Sequence, residues 1–515
     1  MVPITLKSTP GKWIMASSIL ASSMAFIDGT ALNVVLPSLQ ESLHAKGTDL
    51  FWILNAYLLM LASFILLGGS LGDKLGRKKI FIVGILIFIF GSALCGFAPS
   101  VNFLIAFRML QGLGGALMIP GSLSLISASF SAKERGKAIG TWSAFTTVVT
   151  IGGPIIGGAL GDAGLWRYIF FINIPIGLVS IFILWFKVEE SRDEDLDHAL
   201  DYPGAIATVV GLALLTFGFL RIPDVGFHNW QVYTSLGGGI AVIAIFIFIE
   251  KTSKHPMMPL SLFSNMTFTG ANLLTFFLYA GLGAGILFLT LNMVQVQGYS
   301  QLQAGLTLLP FTILMILLAR FAGGLADKYG PRWLLILGPA VAGVGLLLLS
   351  FVKQTSGTSA YWTTFFPGIL FFGLGMSFTV APLTATVMGA LPNHFAGTAS
   401  GVNNAMTRIS SVFANAIFGF LAVLFFSTFL ESEIAQLPLD NSSKVAVLAQ
   451  ASDLGNATVP ASVKKENRKI VERAYKEGFI SSYGKIMKLC ALLAFLGAFM
   501  SFIFIKNTAM VMSDS

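Results

Sequence analysis

The sequence predicts an all-α integral membrane protein: fourteen transmembrane helices, arranged as two six-helix pseudo-symmetric bundles plus an inserted helix pair. Three observations lead there. The 515 residues are 55% hydrophobic and 11% charged, where a soluble domain carries roughly 25% charged residues. Apolar windows of about 20 residues, the length that crosses a bilayer as a helix, recur from end to end. One short polar motif occurs twice. The apolar runs are continuous and not alternating, which excludes a closed β-barrel.

In order, the predicted spans are 13–37, 50–71, 80–98, 101–128, 137–160, 166–187, 203–221, 231–250, 266–292, 302–323, 333–352, 361–389, 397–427 and 483–505. The first runs past Asn33 to Pro37 without a small-residue cleavage site, so it reads as an uncleaved helix. An even number of crossings puts both termini on one side. On that side the connecting segments carry Lys7, Lys12, Lys74, Arg77, Lys78, Lys79, Lys133, Arg135, Lys137, Lys187, Arg192, Lys251, Lys254, Lys328, Arg332 and Lys506. The short loops opposite carry Lys46, Arg167, Arg221 and Lys353. The positive-inside rule then places both termini in the cytoplasm, and the chain in a cell membrane, the inner one in a Gram-negative cell. The net charge of +8 is thus a topology signal and not the mark of a nucleic-acid partner. Cys95 and Cys490 fall inside spans and read as packing residues.

GGSLGDKLGRKK at 68–79 recurs as GGLADKYGPR at 323–332. Each copy follows the second helix of a six-helix block once spans seven and eight are set aside, the plan of transporters built from repeats. The expected division is an N-terminal bundle over 1–187, an acidic linker over 188–202, an inserted pair over 203–250 and a C-terminal bundle over 266–505. The last includes a long outer stretch, 428–482, whose part 463–481 has no broad apolar stripe. It reads as a solvated connector, with a lid as the alternative. The linker carboxylates lack the glycine turn and spacing of a calcium loop.

Several motifs then stand in order. GSLGDKLGRKK at 69–79 is followed by Leu104, Arg108, Gln111, Gly112 and Gly114 in an L-x-x-x-R-x-x-Q-G-x-G spacing. Gly153-Pro154-Ile-Ile-Gly157-Gly158 lies in the fifth span, with Val149 where a preceding glycine is expected. The opening span holds DGTALNVVLP at 28–37, the sixth WRYIFFINIP at 166–175, and the seventh begins DYPG at 201–204. Together these resemble the 14-helix drug:proton antiporter branch of the major facilitator superfamily over nearly the whole chain. The resemblance implies that Gly69, Asp73, Gly76 and Arg77 form a conformational latch. Asp327, in the second copy, would form a weaker one, because Pro331 replaces the arginine. It also implies that Gly153, Pro154 and Gly157 form a hinge and a seal against proton leak in exporters.

The residues themselves point the same way. Asp28 is the one acid well inside an apolar span, and Arg108 and Arg408 are the clearly intramembrane bases. A charge at the bilayer centre costs several kcal/mol unless it faces a partner or an aqueous cavity. Burial favours the neutral form of Asp28 and a nearby Arg108 its charged form, so the pair is the expected proton-coupling site. A structural ion pair is the plainer alternative. Thr30, Asn33 and Gln111 are expected to hydrogen-bond around it. Asn272, Phe276, Gln295 and Arg408 complete the expected substrate cavity, mixing aromatic, amide and basic groups.

These readings predict a proton-coupled exporter of small amphipathic molecules (drugs, dyes or toxic compounds) working by alternating access. Export of an endogenous metabolite or siderophore is the second reading and proton-coupled import the third. One acid against two or three arginines favours monovalent cationic, neutral or anionic substrates over divalent cations. An enzyme would need a nucleophile, metal cluster or phosphate loop, and the five histidines are scattered in or near loops. No catalytic residue, metal or cofactor is expected, since a proton gradient would supply the driving force. The expected partners are a small-molecule substrate, protons and the lipid bilayer, with no nucleic acid. Accessory envelope proteins are left open, and a monomer is expected to suffice.

Overall fold

The computed structural model describes residues 5–130, 132–191, 201–254, 256, 258–391 and 396–506. Its helices are α1 (Thr9–Leu43), α2 (Gly47–Leu75), α3 (Arg77–Phe97), α4 (Val101–Ser129), α5 (Ala132–Asp162), α6 (Tyr168–Phe171), α7 (Asn173–Lys187), α8 (Tyr202–Val225) and α9 (Trp230–Thr252). They continue as α10 (Met266–Leu291), α11 (Gln301–Thr307), α12 (Leu309–Tyr329), α13 (Arg332–Ser350), α14 (Tyr361–Gly389), α15 (Ala396–Gln436), α16 (Asn441–Leu448) and α17 (Lys465–Phe504). No β-strand occurs among the described residues. There, 13 helical segments are long and apolar enough to cross a membrane. The fifth expected span falls on α5, a helix of 31 residues. The chain is a multi-pass membrane protein.

Local chemistry sets the helix ends. Ser8 caps α1 through Gly11 N–H at 3.2 Å, Asn265 caps α10 through Phe268 N–H at 3.1 Å, and Ser300 with Gln303 forms a capping box on α11. Boundaries depart from expectation in four places. The sixth span is broken between Phe171 and Asn173, and the tenth at Leu308, where Pro310 enters the first turn of α12. The ninth loosens into a π turn over Asn292–Val296. The last span and the solvated segment before it form one 40-residue helix, α17.

The internal repeat appears in the packing. Helix α1 lies against α5 and α7, α4 against α2 and α3, and α3 against α7. In the second set α10 lies against α15 and α17, α14 against α12 and α13, and α13 against α17. Each contact in one set thus has its counterpart in the other. Between the sets, α2 packs on α15 and α5 on α11. Helix α8 leans on both α2 and α15, while α9 packs on α8 and leaves Ile240, Ile245, Ile247 and Phe248 exposed, as a lipid-facing helix would.

The helices alternate in direction, so the termini share a terminal face. On the opposite, distal face the two sets are joined by hydrogen bonds. Asp162 accepts from Gln301 N–H at 2.7 Å and Leu302 N–H at 3.0 Å. Gln301 Nε2 donates to Ser38 Oγ, and Gln295 Nε2 donates to Gln40 Oε1 at 3.0 Å. The outer stretch covers this face. Its α16 and a following 3-10 turn over Ala449–Asn456 set Ser452 and Leu454 against Gly47 at the start of α2, and Gly455 beside Gln295. Leu454 holds this fold with φ of 54°, a region costly for a residue with a Cβ. The stretch therefore bridges both sets and does more than connect α15 to α17.

Candidate functional site

Asp28 sits in the middle of α1 with 0% of its side chain exposed. Arg108 Nη1 reaches Asp28 Oδ2 from α4 at 2.5 Å and Gln111 Oε1 at 2.8 Å. Gln111, one turn beyond Arg108, returns a hydrogen bond from Nε2 to Asp28 Oδ1 at 2.9 Å and a longer one to Ser92 Oγ at 3.2 Å. Ser92 in α3 also accepts from Asn173 Nδ2 of α7 at 3.0 Å and donates to Phe170 O at 2.8 Å. Five helices of the first set, α1, α3, α4, α6 and α7, thus meet in one buried polar network. The Arg108 guanidinium lies over the Tyr57 ring at 4.4 Å, a cation–π contact that supports a charge held away from water. Such a pair is costly to assemble in a low dielectric and more costly to break on one side.

A cavity of about 290 Å³ adjoins this network between the two sets. Its apolar wall includes Phe26, Leu54, Ile286 and Phe311; its polar wall includes Thr30, Asn33, Tyr57, Arg108, Thr150, Arg408, Ser411 and Asn415. Asp28 does not line it; Arg108 stands at the wall and holds Asp28 behind. A second recess of about 450 Å³ lies at the distal side among Ile222, Phe227, Phe420, Leu448 and Ser452, with no ionisable lining residue. It lies off the seam between the sets, and the central cavity is the better candidate.

The other expected site residues divide. Thr30 and Asn33 line the cavity but do not bond Asp28. Their polar groups turn onto their own helix, Thr30 Oγ1 to Phe26 O at 2.7 Å and Asn33 Nδ2 to Gly29 O at 3.2 Å. Arg408 lines the cavity from α15. Asn272 does not; it is buried within the second set, where Asn403 Nδ2 donates to its Oδ1 at 3.2 Å. Phe276 is also off the lining, packed edge-on to Phe277 and Phe413. Gln295 belongs to the distal junction, because the π turn that ends the ninth span carries it past the cavity.

The glycine motif of α5 lies where two helices cross it. A Cβ on Gly157 would stand 2.6 Å from Ala31 O of α1, and one on Gly158 2.5 Å from Leu302 Cα of α11. A Cβ on Gly153 would meet Thr30. Pro154 lines the cavity, and its carbonyl faces Gly305 of α11. At the terminal face, Gly69 lies in the last turns of α2, facing Pro120 of α4, and Gly76 forms the α2–α3 connection, turning with φ of 111°. Arg77 Nε donates to Ser124 Oγ at 2.9 Å. The carboxylate at the start of α3 is Glu190, which accepts from Lys78 N–H at 2.9 Å and Lys79 N–H at 3.0 Å. The side chains of Asp73 and Asp327 lie outside the described ones. Sequence reasoning passed over Tyr57, Ser92, Asp162 and Glu190, and quoted Asn173 without giving it a site role. The signal available was a polar side chain inside or at the edge of an apolar run.

A family model described as Major Facilitator Superfamily matches residues 18–415. The chain belongs to the Major Facilitator Superfamily. Among curated members it is 33% identical over 415 residues to the multidrug resistance protein Stp of Mycobacterium tuberculosis, covering 80% of this chain and 76% of that one. It is 27% identical over 497 residues to the tetracenomycin C resistance and export protein of Streptomyces glaucescens, covering 96% and 91%. Among solved structures, a bacterial homolog of the human lysosomal transporter Spinster, in an inward-facing and unoccupied conformation, superposes with a TM-score of 0.65 at 19% identity. That superposition covers 97% of this chain and 99% of that one, and carries the fold alone. As a Major Facilitator Superfamily member this protein is a transporter.

Proposed function

We propose that this transporter exports small amphipathic molecules, drugs among them, in exchange for protons by alternating access. It would work from the cell membrane with both termini in the cytoplasm. The observation that carries this reading is the juxtaposition of an amphipathic cavity between two packed helix sets with a buried Asp28–Arg108–Gln111 network on its wall. The names of the relatives, a multidrug resistance protein and a tetracenomycin C resistance and export protein, support the substrate class. In this reading the bundles over 1–187 and 266–505 rock about the cavity, with the pair over 203–250 riding on α2 and α15. Asp28 takes the proton, and Arg108 answers the change of charge. The distal hydrogen bonds at Asp162, Ser38 and Gln40 break and re-form in each cycle. The cavity is built from one chain, so a single chain suffices.

The test is dye uptake into inverted vesicles under an imposed proton gradient, comparing wild type with Asp28→Asn. Wild type should accumulate dye only with the gradient, and the variant should lose that dependence. Gradient-driven uptake by the variant at the wild-type rate would remove Asp28 from coupling. Uptake by wild type that ignores the gradient would remove proton exchange altogether.

A further inference from the structure

We infer that the cavity selects monoanionic amphiphiles, and that Arg408 is the residue that pairs with the acidic group of the transported molecule. The inference rests on the efflux reading for what becomes of the bound molecule, and on the cavity alone for what binds.

The two arginines on the cavity wall are not equivalent. Arg108 has a carboxylate, an amide and an aromatic face as partners. Arg408 lies across the seam on α15, and its Nε is buried without a hydrogen-bond partner among the described residues. Among the described residues no carboxylate forms an ion pair with it. Asp28, the acid behind the cavity wall, has both oxygens engaged by Arg108 and Gln111 and is itself fully buried. The described lining residues include two guanidinium groups and no carboxylate. Arg408 shares the cavity lining with Thr30 and Tyr57 of the first set and Ile286 and Phe311 of the second, which places its charge between the two sets.

A guanidinium inside a membrane protein is retained where it lines an aqueous cavity or meets a counter-charge. Among the described residues none supplies that counter-charge to Arg408. A planar acid such as a carboxylate matches the guanidinium fork, and such charge-assisted bonds are roughly twice as strong as neutral ones. Arg408, Ser411 and Asn415 fall three and four residues apart and share one face of α15. Together they give an acidic group one charged and two neutral polar neighbours. Phe26, Leu54, Ile286 and Phe311 then receive the apolar body. A cationic molecule would meet Arg408, an Arg108 already paired with Asp28, and no carboxylate on the described lining.

The experiment measures binding to the purified full-length protein in detergent. The probes are three fluorescent monocarboxylates of unrelated scaffold, each paired with its methyl ester, and ethidium as the cation. At least one acid should bind about tenfold or more tightly than its ester, as one charge-assisted bond provides. Arg408→Gln should erase that difference, while Arg408→Lys should restore part of it. Melting temperature and elution profile establish that each variant is folded. The inference is overturned if no acid binds better than its ester, or if Arg408→Gln leaves the preference intact. Failure of the efflux reading looks different: acids would bind through Arg408, but no probe would accumulate in inverted vesicles. Export of ethidium with no preference for acids would sink the present inference and leave efflux standing.

Discussion

Asp162, at the end of α5, accepts hydrogen bonds from the backbone of both Gln301 and Leu302, so a carboxylate of one helix set caps α11 of the other. Gly158, one turn earlier, lets α5 come close enough to do so. Asp162→Ala removes the cap, and Gly158→Leu pushes the helices apart. Both should shift the protein toward a form open at the distal face by about 1–2 kcal/mol, a factor of roughly 5–30. The check is labelling of Thr30→Cys by a membrane-impermeant maleimide added from the distal side. The native cysteines are buried and give little background. Labelling no faster than in the parent protein would show that these contacts do not hold the face closed.

The Asp28–Arg108 pair separates stability from transport. Arg108→Leu leaves a buried carboxylate with Gln111 as its remaining described partner and should cost about 3–5 kcal/mol. Adding Asp28→Leu removes the stranded charge and should recover most of the lost melting temperature, while gradient-driven transport stays abolished. A double variant no more stable than Arg108→Leu alone would mean that the two charges do not depend on one another.

Glu250, at the end of α9, is 2% exposed. One of its oxygens accepts from Met258 N–H at 2.8 Å. The other, and Asp201 Oδ2, both point at Gly204, and neither finds a donor among the described residues. Glutamine keeps the first bond and offers an N–H toward Asp201. Glu250→Gln should therefore melt at or above the wild-type temperature, while Glu250→Ala should lose about 1–3 kcal/mol. Equal damage from both substitutions would show that the facing carboxylates are not strained.

Asp440, the N-cap of α16, titrates at about 2 against an ordinary 3.8, chiefly because Ser442 and Ser443 donate to its carboxylate. A group lowered by folding contributes stability above its unfolded value, and that contribution is lost as pH falls through the folded one. Protection of residues 441–448 against hydrogen exchange, corrected for intrinsic rates, should be flat down to about pH 4 and decline toward pH 2. In Asp440→Ala protection should be lower throughout and lack this acid-dependent step.

The helices were legible because a bilayer demands long apolar runs, and charge asymmetry, repeat and motifs are linear features. Asp28 and Arg108 stood out because charge inside such a run is expensive. Gln111, one turn from Arg108 on the same helix, was expected both to hydrogen-bond near Asp28 and to line the cavity; it bonds Asp28 but is not on the lining. Ser92 and Asn173 were not assigned site roles, since single polar groups scarcely disturb an apolar window and their helices meet only in three dimensions. Gln295 looked like a cavity residue in an ordinary α-helix, but the π turn over Asn292–Val296 moves it to the distal junction. Glu190 was read as part of a solvated linker, and only the fold brings it to the start of α3.

Asp28 is walled off from the cavity by Arg108, so a transported molecule and the carboxylate would occupy separate places and the molecule's own charge would enter the electrical balance unaltered. For one proton moving in against one molecule moving out, a monovalent cation would make the exchange electrically silent. A neutral molecule would transfer one charge and a monoanion two. At 100 mV each transferred charge contributes about 2.3 kcal/mol. The membrane voltage alone would then drive anions out more strongly than any other class, and a current measured across a protein-loaded membrane would reveal which molecules the cavity carries.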